Sequence, residues 1–212
     1  MLAVERSQGT LRAKRKRGSN IAMLQTAFKE WAVICAALAQ GKQALILRKG
    51  GIAEDSGDFR VEQPRFWLFP TYTHQQQTGI CPDAAPLWAE VEQTRPPAGI
   101  VRLSHWAEAT GIYHLHDELP ALLIGHLHLW SDETVRKRFA YRAPGLYVLA
   151  VRVYRAAETT EVIDTPAYQG CKSWVQLEKA LPTEGSTPVL SDERYANLQR
   201  QLDLLLTPTA LA

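Results

Sequence analysis

Sulfur is scarce in this chain: 212 residues include three cysteines and two methionines. Cys35, Cys81 and Cys171 stand far apart and form no CxxC pair. That excludes a disulfide scaffold and a cysteine-rich zinc site, and it sets the expectation of a reducing, cytoplasmic protein with cysteines as small packing residues. Long apolar runs are missing as well, so no membrane span is expected. The opening "MLAVERSQGT" lacks the apolar core of a secretory signal. Charge of one sign is not in excess either; the formal net charge of +2 points to no partner by itself.

What is present is a hydrophobic content of 46%, enough for one domain with a sizeable core. Residues 1–21 differ from the rest. "LRAKRKRGSN" concentrates Arg12, Lys14, Arg15, Lys16 and Arg17 in six positions with little apolar content, the pattern of a solvated, disordered basic arm. Residues 22–212 are expected to be a single domain.

Along that domain, "AMLQTAFKE" reads as a short helix. "WAVICAAL" and "QALILRK" read as two strands joined in a hairpin by the turn at Gly41. "FRV" and "RFWLFPTY" are the next strands. "CPDAAPLWAEVEQT" is a helix with proline in its first turn and Leu87 and Val91 facing inward. "GIVRLSHWAEATGIYHLH" spans one or two strands, and "DELPALLIGHLHLW" is compatible with helix or strand. "SDETVRKRFAYR" is a helix capped by Ser131, with Asp132 and Glu133 in its positive first turn. "GLYVLAVRVYRA" is the clearest strand, apolar on both faces and therefore central. The final helix, "SDERYANLQRQLDLLLT", lines up Tyr195, Leu198, Leu202 and Leu205. The whole reads as α+β: a mixed, mainly antiparallel, curved or barrel-like sheet with flanking helices.

Four patches carry possible chemistry. "FWLFPTYTHQ" runs an oily strand into Thr71, His74 and Gln75, which suggests a strand delivering polar groups to a pocket. "VRKRFAYR" interleaves Arg138 and Arg142 with Tyr141, suited to phosphates and stacked bases. "RKGG" places Arg48 and Lys49 at a strand end before two glycines, where an anion can approach backbone amides. "YQGCKSWV" adds Lys172, Ser173 and Trp174. The histidines fall in one stretch, and two HxH pairs, His114 with His116 and His126 with His128, would each present two imidazoles to one divalent metal if they lay on strands. No cofactor is demanded by any of these patterns.

"KEWAVICAALAQGKQALILRKGGI", "FWLFPTYTHQ", "HLWSDETVRKRFAYR", "LYVLAVRVYR" and "YQGCKSWVQL" together resemble the bacterial family called domain of unknown function 1802, over residues 22 to 180 or so. The resemblance implies a candidate pocket from Arg48, Lys49, Phe69, Pro70, Thr71, His74, Gln75, Arg138, Tyr141, Arg142, Lys172, Ser173 and Trp174. It also implies an association with DNA restriction or modification, since some members stand beside endonuclease-type domains. The hairpin before "FWLFP" is similar to the start of Nudix hydrolases, but the helix that follows offers only Glu90 and Glu92, so their magnesium site is missing. "LEKA" has Glu178 next to Lys179, the wrong spacing for the common Glu-x-Lys nuclease site.

The favoured function is a binding module for nucleic acid or a phosphorylated small molecule, with no membrane partner. The alternative is a metal- or His-dependent hydrolase of the phosphodiesterase type. A third reading uses the C-terminal leucine stripe to pair with a partner helix.

Overall fold

The computed structural model describes residues 4–6, 22–49, 63–170 and 172–206. In chain order the elements are β1 (Val4–Arg6), β2 (Met23–Trp31), α1 (Ala32–Ala39), β3 (Leu45–Arg48), β4 (Arg65–Thr71), α2 (Ala85–Gln93), β5 (Ile100–Leu115), α3 (Glu118–Leu123), α4 (Asp132–Ala140), β6 (Leu146–Ile163), β7 (Trp174–Pro182), β8 (Thr187–Pro188) and α5 (Asp192–Leu206). The basic cluster from Arg12 to Arg17, the "FRV" strand and Cys171 lie outside the described residues.

The strands form one sheet in the order β3-β6-β5-β4-β2-β7, with β1 beside β5 and β8 beside β6. The fold is α+β, and the sheet is open, ending at β3 and β7, so it bends without closing into a barrel. Its pairings are antiparallel except for β2 with β4, which run parallel. β5 and β6 make a long ribbon interrupted by register shifts at Leu103/His105 and Ala109/Gly111, where bulges add local twist.

The "FWLF" of β4 shows why the sheet is covered on both faces. Side chains alternate along a strand, so Phe66 and Leu68 enter the larger core cluster while Trp67 and Phe69 enter the smaller one. Each such side chain contributes about 1.5–3 kcal/mol on leaving water. Trp174, at the start of β7, meets Phe28 and Phe66 edge-on at 4.7 and 5.1 Å.

The structure corrects the reading of the first sixty residues. The expected helix before Glu30 is strand β2, and the expected strand "WAVICAAL" is helix α1. α1 is apolar all round, with Ala32, Val33, Ile34, Cys35, Ala37 and Leu38 buried, so its pattern carries no helical period to read. The Gly41 turn is likewise no hairpin. It closes α1 with a left-handed residue at φ 65°, Gly41 N–H donating to Leu38 O and Lys42 N–H to Ala37 O.

Elsewhere the expectations match. Ser131 Oγ accepts from Thr134 N–H at the start of α4, and Leu87 and Val91 are the buried residues of α2. β5 is one strand. The leucine stripe of α5 is docked in the chain's own core through Leu202 and Leu206, with Leu198 and Leu205 packed against it. That stripe is therefore not a free face for a partner helix. No described helix is long and apolar enough to cross a membrane.

Candidate functional site

β2 and β4 run parallel, so their C-terminal ends emerge side by side, with Glu30 opposite Pro70 and Trp31 opposite Thr71. Such ends are where open sheets leave a crevice. Here a cleft of about 740 Å³ is completed by the end of β3, the C-terminal end of α4, the segment 95–101, Asp164, the segment 168–170, and Lys172 with Ser173.

The floor is a cluster of three charges set among rings. Glu30 has a side chain only 1% exposed; its Oε1 accepts from Trp31 N–H at 2.8 Å, and its Oε2 lies 3.5 Å from Arg48 Nη2. The start of α1 adds the positive end of a helix dipole beside this carboxylate. Arg48 also donates to Lys29 O and lies 4.4 Å over the Phe28 ring, keeping 19% of its side chain exposed. Arg138 Nη1 donates to Leu47 O at 3.1 Å, and its guanidinium lies 3.6 Å over Trp130 and 5.7 Å from Trp31. Burial pushes Arg138 down to about 10; Glu30 opposes that shift and Arg48 adds to it. Arg138 thus stays charged at neutral pH, and Glu30 is ion-paired with Arg48 while it influences Arg138 through its field.

The walls are held by lysines bonded to main-chain carbonyls. Lys29 Nζ donates to Tyr168 O and Gly170 O at 2.7 and 2.9 Å, which fixes the segment carrying Lys172 and Ser173. Lys49 Nζ donates to Phe139 O and Gly145 O, both at 2.9 Å, and to Ala143 O, which fixes the turn carrying Tyr141. Burial lowers the Lys49 pKa. At the rim, the Arg95 guanidinium lies 4.5 Å over Tyr72, and Tyr141 is 49% exposed. Two non-glycine residues among the described ones have positive φ: His74 at 65°, which lines the cleft, and Arg142 at 62°, next to the lining residue Tyr141. Such strain collects at functional sites.

Of the residues singled out from the sequence, Arg48, Lys49, Thr71, His74, Arg138, Tyr141, Lys172 and Ser173 line the cleft together with Phe69 and Pro70. Three do not. Gln75 braces α1, its Oε1 accepting from Val33 N–H and its Nε2 donating to Glu92. Arg142 packs 5.3 Å over Tyr141, away from the lining. Trp174 is a core residue, as is Trp67, so neither offers a stacking face. Thr71 Oγ1 donates to Glu30 O and ties β4 to β2. Sequence reasoning missed Lys29, Glu30, Trp31, Arg95 and Asp164. Lys29 and Glu30 fell in the segment read as a helix and Trp31 in the segment read as the following strand, whereas all three close β2.

The histidines divide. His114 and His116 do turn to one side, ring centroids 4.0 Å apart, and His114 stacks on Tyr147 at 4.0 Å. The second pair splays: His126 is exposed, whereas His128 is buried and its Nδ1 accepts from Trp130 N–H. Among the described residues no group of three or more His, Cys, Asp or Glu is placed to hold a metal ion. Burial lowers His128 to about 4, with Asp132 opposing, and lowers His105 to about 4, with Arg155 adding to the effect.

A family model described as "Domain of unknown function (DUF1802)" matches residues 27–201. No curated protein matches the chain. Among solved structures, the chain is similar to an ASCH protein from Zymomonas mobilis, at 14% identity and a TM-score of 0.42, over 82% of this chain and 93% of that one. It is also similar to a serine-to-alanine mutant named ZmASCH from the same organism, at 11% identity and a TM-score of 0.45, over 83% of this chain and 94% of that one.

Proposed function

The chain belongs to the DUF1802 family, and from that premise we propose that it is a binding module whose cleft takes a phosphate-bearing ligand, a nucleic acid or a phosphorylated small molecule. One observation carries the reading: Arg48, Arg138 and Glu30 line the same cleft, and the buried Glu30 carboxylate is ion-paired with Arg48, while Arg138 bonds Leu47 O and lies over Trp130. A positive charge left without a counter-charge in a poorly hydrated floor costs several kcal/mol, and an anionic ligand offsets that cost. Guanidiniums suit phosphate oxygens because their fork of N–H donors matches two acceptors at once. Among the described residues that line it, the cleft carries six Lys or Arg side chains and two carboxylates. Half-exposed Tyr141 and the Arg95-covered Tyr72 offer flat faces above the charged floor, the combination used to hold bases.

The test is fluorescence anisotropy with labelled single-stranded DNA and RNA and with a labelled nucleotide, across a salt series. Binding should weaken as salt rises, and Lys172→Ala should lower the salt slope by about one unit if that ammonium meets a phosphate. Tyr141→Ala should weaken binding by about 1–3 kcal/mol if a base stacks there. Absence of binding by every phosphate-bearing probe at low salt would overturn the reading.

A further inference from the structure

We propose that the cleft is matched to the singly charged phosphodiester of a single-stranded nucleic acid, and that Glu30 is the residue that discriminates against the doubly charged terminal phosphate of a nucleotide or phosphorylated metabolite; this rests on the phosphate-binding reading above. A diester carries one negative charge, whereas a terminal phosphate carries about 1.5 to 2 at neutral pH. Arg48 and Arg138 with Glu30 leave one positive charge on the floor, which balances the first and falls short of the second.

Amides at a helix start are natural phosphate donors, and Trp31, the residue that precedes α1, lines the cleft. Here Trp31 N–H is taken by Glu30 Oε1 at 2.8 Å and Val33 N–H by Gln75 Oε1 at 3.3 Å. A dianion brought there would meet a fixed carboxylate instead of a free cradle of N–H groups. Asp164 is the other carboxylate on the lining.

The remaining positive charge is spread out. Lys29 is bound to the 168 and 170 carbonyls on one wall, Lys49 to the 139 and 145 carbonyls on another, and Arg95 lies on Tyr72 at the rim, 3.9 Å from Glu92. Charges dispersed along a cleft fit a ligand whose own charges are spaced along a chain, and they fit poorly a compact group with its charge on one phosphorus.

Competition against a labelled single-stranded oligonucleotide tests this. The competitors are the same oligonucleotide with hydroxyl ends, the same strand with a 5′-phosphate, and the matching nucleoside monophosphate. The hydroxyl-ended strand should compete fully, and the 5′-phosphate should change its affinity by less than about threefold, since internal linkages do the binding. The monophosphate should compete at least about a hundredfold more weakly, lacking a diester and presenting excess charge. Glu30→Gln keeps an oxygen acceptor for Trp31 N–H but raises the floor charge, so it should narrow the strand-to-monophosphate ratio by about tenfold.

Equal competition by the monophosphate would overturn the diester inference while leaving phosphate binding intact. Failure of every probe would overturn both. An unchanged ratio in folded Glu30→Gln, judged by its circular dichroism, would remove Glu30 from the discrimination. Should that variant not fold, the wild-type competition decides the diester question, and Glu30→Asp, which keeps the charge and should keep the preference, decides the residue's role.

Discussion

Two parts of this molecule place arginine over an aromatic ring, and they differ in how the charge is balanced. On the β6–α5 side, Arg152 lies 5.0 Å over Tyr195, donates to Leu190 O and pairs with Asp192, a carboxylate 95% exposed to water. One guanidinium meets one carboxylate, and the ensemble fastens α5 to the sheet. In the cleft, Arg48 lies over Phe28 and pairs with Glu30, which is shut off from water, and Arg138 lies over Trp130. The same ring-and-guanidinium contact stands in two electrostatic settings. Where the charges match and one partner is hydrated, it is a fastening; where two guanidiniums accompany one buried carboxylate, it is the place that the proposed function assigns to an anion.

The sharpest way to break the comparison is to remove the cleft arginines. Arg48→Gln with Arg138→Gln should lower oligonucleotide affinity by about a thousandfold, since charge-assisted contacts to phosphate contribute about 1.5–3 kcal/mol apiece. Arg152→Gln should leave that affinity within about twofold, because its charge is already balanced far from the bound anion. Anisotropy titrations of both proteins check this.

Next in size is an acid effect next to the floor. His128 is buried beside Trp130, on which Arg138 lies, and its pKa is lowered from 6.5 to about 4. The unfolded chain then binds more protons than the folded one between those values. Stability is therefore full above pH 6.5 and falls as the pH drops towards 4, by up to about 3 kcal/mol. Thermal melts across that window should show the fall, and His128→Gln should flatten it. His105, lowered to about 4 as well, adds a slope of the same sign.

Gly79→Ala probes the floor sterically. A Cβ at Gly79 would stand 2.7 Å from two ring atoms of Trp31, whose indole is packed 4.6 Å from Trp130. Neither ring can yield freely, so the substitution should destabilise by about 1–3 kcal/mol and weaken ligand binding together with it. The smallest effect is expected from Arg152→Ala on stability, about 1 kcal/mol or less, because Asp192 stands in water. Urea titration of both variants measures the difference.

Much of the architecture was legible in the residues themselves. The "FWLF" alternation, the apolar length of β6, the Ser131 cap and the Tyr195–Leu202 stripe each carry their own local signature. α1 carried none, because burial on every side erases the period that separates helix from strand. The cleft was legible in part: cationic and aromatic residues stood out in "RKGG", "RFAYR" and "CKSW". Their partners did not. Glu30 fell inside the expected short helix and was not singled out, and Gln75 was expected as a ligand contact, whereas it braces Val33 N–H.

The sequence by itself determined that β4 and β6 are strands, where α4 is capped, and that basic and aromatic residues recur near strand ends, since local periodicity and capping chemistry act over a few residues. Only the tertiary structure decided that Glu30, Arg48 and Arg138 share one floor and that Lys29 and Lys49 are bound to carbonyls. Those residues lie up to 109 positions apart in the chain, and their meeting depends on the parallel register of β2 with β4 and on the packing of α4 beside the end of β3, which no local pattern encodes.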